Sequence, residues 1–170
     1  DTVNEADETL IVTLSNAELA DTTSLTITDA EGTGTIDNDD VVVVGIDDVT
    51  EDENLDGSFD FTVSILSGVT SDQDVTFTVG TADGTALSAS DYTATPTTGT
   101  SGTITAGQTT YTVSVAVSGD TSDEDDETFT ADLSVLGGGS DATPTFEGAG
   151  GTESGTATIT NDDTEIGRAS

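Results

Sequence analysis

Apolar and polar residues alternate with period two along most of this chain. Phe59, Phe61, Val63 and Ile65 are separated by Asp60, Thr62 and Ser64. The same pattern returns at Val75, Phe77 and Val79, at Tyr111, Val113, Val115 and Val117, and at Phe129, Ala131, Leu133 and Val135. It closes with Ala157 and Ile159 set between Thr156, Thr158 and Thr160. Successive side chains of a strand point to opposite faces, so each run predicts a strand with one apolar and one solvated face. Residues 41–44 are an unbroken run of Val, which predicts a short strand buried on both faces. Turns containing Gly84, Gly102, Gly107 and Gly119 separate the runs, and no stretch carries a helical period. Six or seven short strands at this spacing predict an antiparallel β-sandwich.

A motif occurs twice. Residues 1–10 reappear as residues 120–129, and residues 34–40 reappear as residues 157–163. Glu8 matches Glu127 at an offset of 119, and Asp40 matches Asp163 at an offset of 123; Gly137, Gly138 and Gly139 absorb the difference. A repeat of this length is one small domain. Residues 1–40 therefore read as the C-terminal part of one unit, residues 41–163 as a complete unit, and residues 164–170 as a linker or tail. Acidic clusters at matched places in both copies predict hard-cation sites built into a repeated β domain.

Composition sharpens this. The chain carries 35 Asp plus Glu and one basic residue, Arg168, for a formal charge of −34. Self-repulsion at this density opposes compaction, and divalent cations are the simplest compensation. Nothing here can neutralise phosphates, which excludes nucleic acid and an anionic membrane as partners. No apolar run is long enough to span a bilayer. His, Cys, Lys and Trp are absent, so neither a Ser-His-Asp triad nor a zinc site with N or S ligands can form. A non-enzymatic module is expected. The 36 Thr suit the solvated faces of strands better than a dedicated ice- or glycan-binding array. Residues 52–57 match the first half of an EF-hand loop, but its twelfth position is Val63 and a strand follows, so a polar turn is expected there. The start at Asp1, without Met or signal peptide, reads as a piece of a longer chain.

Several motifs together carry a family resemblance. They are Glu51 after the first strand, the run from Phe59 to Val63, residues 81–86, Asp91 with Tyr92, residues 102–104, residues 126–129 and residues 158–163. Residues 41–163 thereby resemble the Calx-β domain, a family that includes the calcium-sensing domains of the sodium–calcium exchanger and repeats of bacterial surface and secreted proteins. The resemblance implies a seven-stranded immunoglobulin-like antiparallel β-sandwich that binds Ca2+ among loops at one end, beside the next domain. Carried over by position, the implied ligands are Glu51, Asp83, Asp120, Glu124, Asp162 and Asp163. In the partial copy they are Asp1, Glu5, Asp39 and Asp40. Gly119 to Thr121, and Asn161 ahead of Asp162 and Asp163, hold fewer acids than the exchanger-type pattern, which implies fewer ions or weaker binding.

Calcium takes roughly six to eight oxygen ligands in irregular geometry, which carboxylates from separate loops can supply. The expected function is a structural extender or adhesion module of a large extracellular, secreted repeat protein, stiffened by calcium at its domain junctions. Its expected partners are neighbouring repeats of the same or an identical chain. The incomplete first unit would be completed by further chain or by strand addition from a neighbour, which would build a filament. The alternative is a calcium-sensing regulatory module.

Overall fold

The computed structural model describes residues 1–21, 24–53, 57–95, 100–138, 143–147 and 151–164. The tail beyond Thr164, the middle of the 52–57 turn and Gly139 lie outside the described residues. Thirteen strands are described: β1 (Val3–Asn4), β2 (Glu8–Thr13), β3 (Glu31–Ile36), β4 (Val43–Ile46), β5 (Val49–Asp52), β6 (Gly57–Ile65), β7 (Thr70–Ser71), β8 (Val75–Asp83), β9 (Thr100–Ile104), β10 (Thr110–Val117), β11 (Glu127–Gly138), β12 (Thr145–Phe146) and β13 (Glu153–Thr160).

Two sheets form the sandwich, in the orders β10-β6-β4-β12 and β5-β13-β11-β8-β9. Their apolar faces meet as the period-two runs require. Phe59, Phe61, Val63, Phe77, Val79, Val115, Phe129 and Leu133 are fully buried. All the buried apolar side chains among the described residues lie between Val42 and Ile159, so the complete unit holds the core. The Val run differs from expectation: Val42 and Val44 are buried, Val41 is exposed, and the strand begins at Val43. It is alternation on one strand, not a strand covered on both faces.

The two sheets hold nine described strands where seven were expected, because the first strand changes sheets and the two-residue β12 adds an edge. Val43–Ile46 belongs to one sheet and Val49–Asp52 to the other. The step at Asp47 and Asp48 is held from both sides. The Asp47 carboxylate accepts the Thr62 N–H (2.5 Å), and the Asp48 carboxylate accepts the Thr156 N–H (2.7 Å). After the step, β5 runs parallel to β13, with Glu51 opposite Ile159 and Asp52 opposite Thr160. The sandwich is thus antiparallel in its interior and parallel at the β5 and β12 edges. Between Ser134 and Gly137 the β11–β8 register shifts, and Gly138 has φ +87° where a Cβ would meet the Asp74 carbonyl. The glycine run that absorbs the repeat offset is therefore, in part, the irregular end of β11.

The first copy is one hairpin, β2 paired with β3. Its register repeats that of β11 with β13: Leu10 faces Gly34 as Phe129 faces Ala157, and Val12 faces Gly32 as Ala131 faces Gly155. Leu10, Val12 and Ile36 are exposed, whereas Phe129, Ala131 and Ile159 are buried. The fold is an immunoglobulin-like β-sandwich in tandem, one unit full and one partial. The partial unit touches the full one through β1, which pairs parallel with β7. Thr70 N–H donates to the Thr2 carbonyl (2.9 Å) and Asp72 N–H to that of Asn4 (3.1 Å), while the Asn4 and Ser71 side chains are buried between them.

Candidate metal centre

Parallel pairing with β13 carries the chain past Asp52 to Glu53, whose N–H donates to the Thr160 carbonyl (2.9 Å). Glu53 lies beside the turn that ends β13. One carboxylate oxygen from each of Glu53, Asp162 and Asp163 falls within 4.8 Å of the others. Glu53 is 8 % exposed, and Asp163 Oδ2 is buried without a hydrogen-bond partner. Burial pushes the Glu53 carboxyl above its ordinary range; the Asp120 N–H that donates to Oε1 (3.2 Å) pulls it back, and the charges of Asp120, Glu124 and Asp163 push it up again.

Asn161 builds the turn. Its N–H donates to Asp126 (3.1 Å), its Nδ2 donates to Asp123 (3.1 Å) and to the Asp163 carbonyl (3.3 Å), and its Oδ1 accepts the Asp163 N–H (3.1 Å). The residue that replaces a third acid is thus a scaffold that ties the end of β13 to the 120–126 loop. The upstream copy repeats this arrangement. Asn38 N–H donates to Asp7 (2.8 Å), Asn38 Nδ2 to the Asp40 carbonyl (3.0 Å), and the Asp40 N–H to Asn38 Oδ1 (3.4 Å). Asp1 accepts the Val3 N–H as Asp120 accepts that of Ser122. Asp1, Glu5, Asp39 and Asp40 line one concave site of about 70 Å³, next to the β1–β7 contact.

The structure brings Asp120, Glu124, Asp162 and Asp163 around Glu53. Glu51 is exposed and stands two residues short of the ring; its carbonyl accepts the Thr160 hydroxyl (3.1 Å). The Asp83 carboxylate accepts the Tyr92 hydroxyl (2.5 Å) and the Ser88 N–H (2.9 Å), which hold it below the usual range, with Tyr92 the larger cause. Sequence reasoning missed Glu53, Asp91 and Glu127. Glu51 and Glu53 have the same strand parity, so only the pairing of β5 with β13 separates them. Glu127 was visible as a repeat of Glu8, although its side chain is drawn to Asp91 only through the loop between β8 and β9.

Glu127 is pushed up to about 7, by burial first, then by the charge of Asp91 and the hydrogen bond shared with it, then by Glu124 and Glu53. In the cation-free protein the folded state keeps a proton that the unfolded chain loses near its ordinary value of 4.5. Stability therefore falls as pH rises from that value toward 7, because the unfolded state binds fewer protons across this window. In chelator, melting temperatures at about pH 5 and about pH 8 should show this fall, and it should be smaller in Glu127→Gln. An equal fall in both proteins would assign the effect to other groups.

An all-oxygen anionic ring with an orphaned buried carboxylate oxygen fits a hard cation, which would supply the positive charge that the ring lacks. Glu53, Asp162 and Asp163 would hold it, with Asp120 and Glu124 beside them. At one end of an immunoglobulin-like sandwich in tandem, this defines a cation-binding β module. The Calx-beta domain pattern matches residues 37–163, and the chain belongs to that family. Membership of that family agrees with the expected non-enzymatic module and with Ca2+ as the expected cation.

Among solved structures, the chain is similar to the apo-form Calx CBD1 domain, at 19 % identity and a TM-score of 0.56 over 71 % of this chain and 99 % of that one. It is also similar to the calcium binding domain CBD12 of CALX1.1, at 20 % identity and a TM-score of 0.55 over 72 % of this chain and 47 % of that one. CBD12 from CALX1.2 matches at 21 % identity and a TM-score of 0.56, over 72 % and 46 %. The chain thus spans about half the length of the CBD12 structures. No curated protein matches the chain.

These matches correct the expected function. The similar structures are Calx domains, one of them described as a calcium binding domain, and not adhesion or filament elements. The extracellular extender, the secreted location, and assembly into a filament by strand addition are withdrawn together. The physical reason is that carboxylates at the end of a sandwich serve a stiffener and a switch alike. The count of acids that favoured a stiffener also left out Glu53, which the fold places against Asp162 and Asp163.

Proposed function

We propose that this chain is a calcium-responsive regulatory module in which residues 1–40 end one Calx-β unit, residues 41–163 form the next, and residues 164–170 follow as linker or tail. The observation that carries this reading is the convergence of Glu53, Asp162 and Asp163 around a buried carboxylate oxygen that has no partner. Asp120 and Glu124 complete that site, and Asp1, Glu5, Asp39 and Asp40 supply a second one at the junction between units. Without a cation the ring is self-repelling. With one, the 120–126 loop, the end of β5 and the end of β13 are drawn together, and that change is the signal available to attached domains. The second site lies next to the β1–β7 contact, through which a cation held there reaches the complete unit.

Calcium titration followed by thermal unfolding, with chelator and magnesium controls, tests the reading. A ligand that binds only the folded state at a hundredfold excess over its dissociation constant stabilises it by about 2.7 kcal/mol. The melting temperature should rise with calcium, with half-effect at or below about 10⁻⁵ M as in sensor sites, and magnesium should not reproduce it. Half-effect only near 10⁻³ M or above would match extracellular modules and overturn the sensor assignment. No response would remove calcium from the account altogether.

A further inference from the structure

Asp83 sits at the end of β8, opposite Phe129 of β11, at the same end of the sandwich as Glu127. The acids whose charges act on Glu53 are Asp120, Glu124 and Asp163, and those acting on Glu127 are Asp91, Glu124 and Glu53. Asp83 is in neither set. Its Oδ1 is instead the acceptor of both the Tyr92 hydroxyl and the Ser88 N–H. Tyr92 is anchored in turn. It is 2 % exposed, and its ring stacks on Phe129 with centroids 4.2 Å apart and planes 10° from parallel.

Between these two anchors the chain makes a closed loop. Leu87 N–H donates to Asp91 Oδ2 (2.7 Å), and the Asp91 N–H donates back to the Leu87 carbonyl (2.9 Å). The loop is also fastened to β11. Ala86 N–H donates to the Thr128 carbonyl (2.9 Å), and the Thr128 N–H to the Thr85 hydroxyl (2.8 Å). Gly84 passes so close that a Cβ would stand 2.3 Å from that same Thr128 carbonyl. The outcome of these bonds is the position of Asp91 beside Glu127.

We infer that Asp83 is a positioning residue, not a cation ligand: with Tyr92 and Ser88 it clasps the loop from 84 to 91 so that Asp91 is presented to Glu127 at the edge of the metal site. This inference rests on the cation-binding reading of that site. It assigns Asp83 the indirect role that outer hydrogen-bond partners play around metal centres. Both bonds fall on Oδ1, which is thereby committed to a buried phenol and a backbone amide.

A double-mutant cycle in the full chain tests it. Asp83→Asn, Tyr92→Phe and the pair are compared for calcium affinity by calorimetry, and for amide hydrogen exchange of Leu87 and Ser88 in chelator. Tyr92→Phe keeps the stacked ring and removes only the hydroxyl. If the clasp positions Asp91, each single variant should lose about tenfold in affinity, and the pair should lose no more than either alone. Leu87 and Ser88 should exchange faster in all three. A direct ligand would behave otherwise: Asp83→Asn would lose far more than Tyr92→Phe, and the two losses would add, which overturns the inference. Unchanged exchange in the variants would overturn it too. Should the parent chain bind no calcium, the reading of the site fails. The exchange arm then still decides whether the clasp orders the loop.

Discussion

Glu53→Gln is expected to weaken calcium binding at the complete unit by at least the tenfold to roughly hundredfold that loss of outer hydrogen-bond partners costs a metal site. Glu53 is nearly buried, and its carboxylate is within reach of Asp162 and Asp163 at once, so removing its charge removes one wall of the site. The amide keeps the shape and one acceptor for the Asp120 N–H. The fold should therefore survive and the loss should appear in affinity alone. In chelator the variant should be at least as stable as the parent, because burial and the charges of Asp120, Glu124 and Asp163 all oppose the ionised form of Glu53. Glu51→Gln is the informative control. Glu51 is exposed and stands outside the ring, so its affinity should stay close to the parent's. Calorimetric titration of the two variants separates the outcomes. An equal loss in both, or a loss confined to Glu51→Gln, would place the ion elsewhere.

Phe129→Ala is expected to destabilise the complete unit by about 3–5 kcal/mol, the usual cost of emptying a core aromatic position. Phe129 is fully buried and touches three other rings: Tyr92 stacked, Phe61 edge-on at 6.1 Å, and Phe59 tilted at 6.2 Å. Those contacts join both sheets and the loop from 84 to 91, so no single neighbour can move in to fill the space. At roughly 3–5 °C per kcal/mol for a unit of this size, the melting temperature in chelator should fall by more than about 10 °C. Calcium affinity should fall as well, since Tyr92 loses the surface it stacks on and the Asp83–Tyr92 bond loses its anchor. A variant that melts like the parent would show that the aromatic cluster contributes little. One that loses stability but keeps full affinity would separate the core from the site.

Much of the fold was legible because period-two alternation is a local consequence of strand geometry. Phe59 to Ile65, Val75 to Val79 and Val113 to Val117 face the core in the positions the pattern assigns, whereas Tyr111, at the start of its run, is exposed. The repeat was equally legible, since Asn38 and Asn161 make the same turn, bonded to Asp7 and Asp40 in one copy and to the matching Asp126 and Asp163 in the other. What could not be read were the elements with little pattern of their own. Val49–Asp52 is four residues with one buried side chain, and its partner β13 is more than a hundred residues away in sequence. The exposed hairpin of the first copy carries a pattern like that of β11 and β13, yet its apolar side chains are not buried, because burial depends on the strands that face it and not on the pattern itself.

The function was misjudged at the same kind of boundary. Counting acids near the family positions gave a depleted site, which favoured a passive stiffener. The fold brings Glu53, from outside those positions, against Asp162 and Asp163.

By itself the sequence determined that this protein is an acidic β-sandwich in tandem, with carboxylates clustered at matched places in its two copies. Alternation, turn residues, the repeat and the missing His, Cys and Lys are all properties of residues near one another or of the whole composition. Only the tertiary structure decided which carboxylates meet. A step between sheets at Asp47 and Asp48 sets β5 alongside β13, and the parallel register carries Glu53, not Glu51, to Asp162 and Asp163. The clasp from Asp83 to Tyr92 fixes where Asp91 stands. Electrostatic and coordination energies fall off over a few ångströms, whereas sequence spacing fixes distance only along the chain.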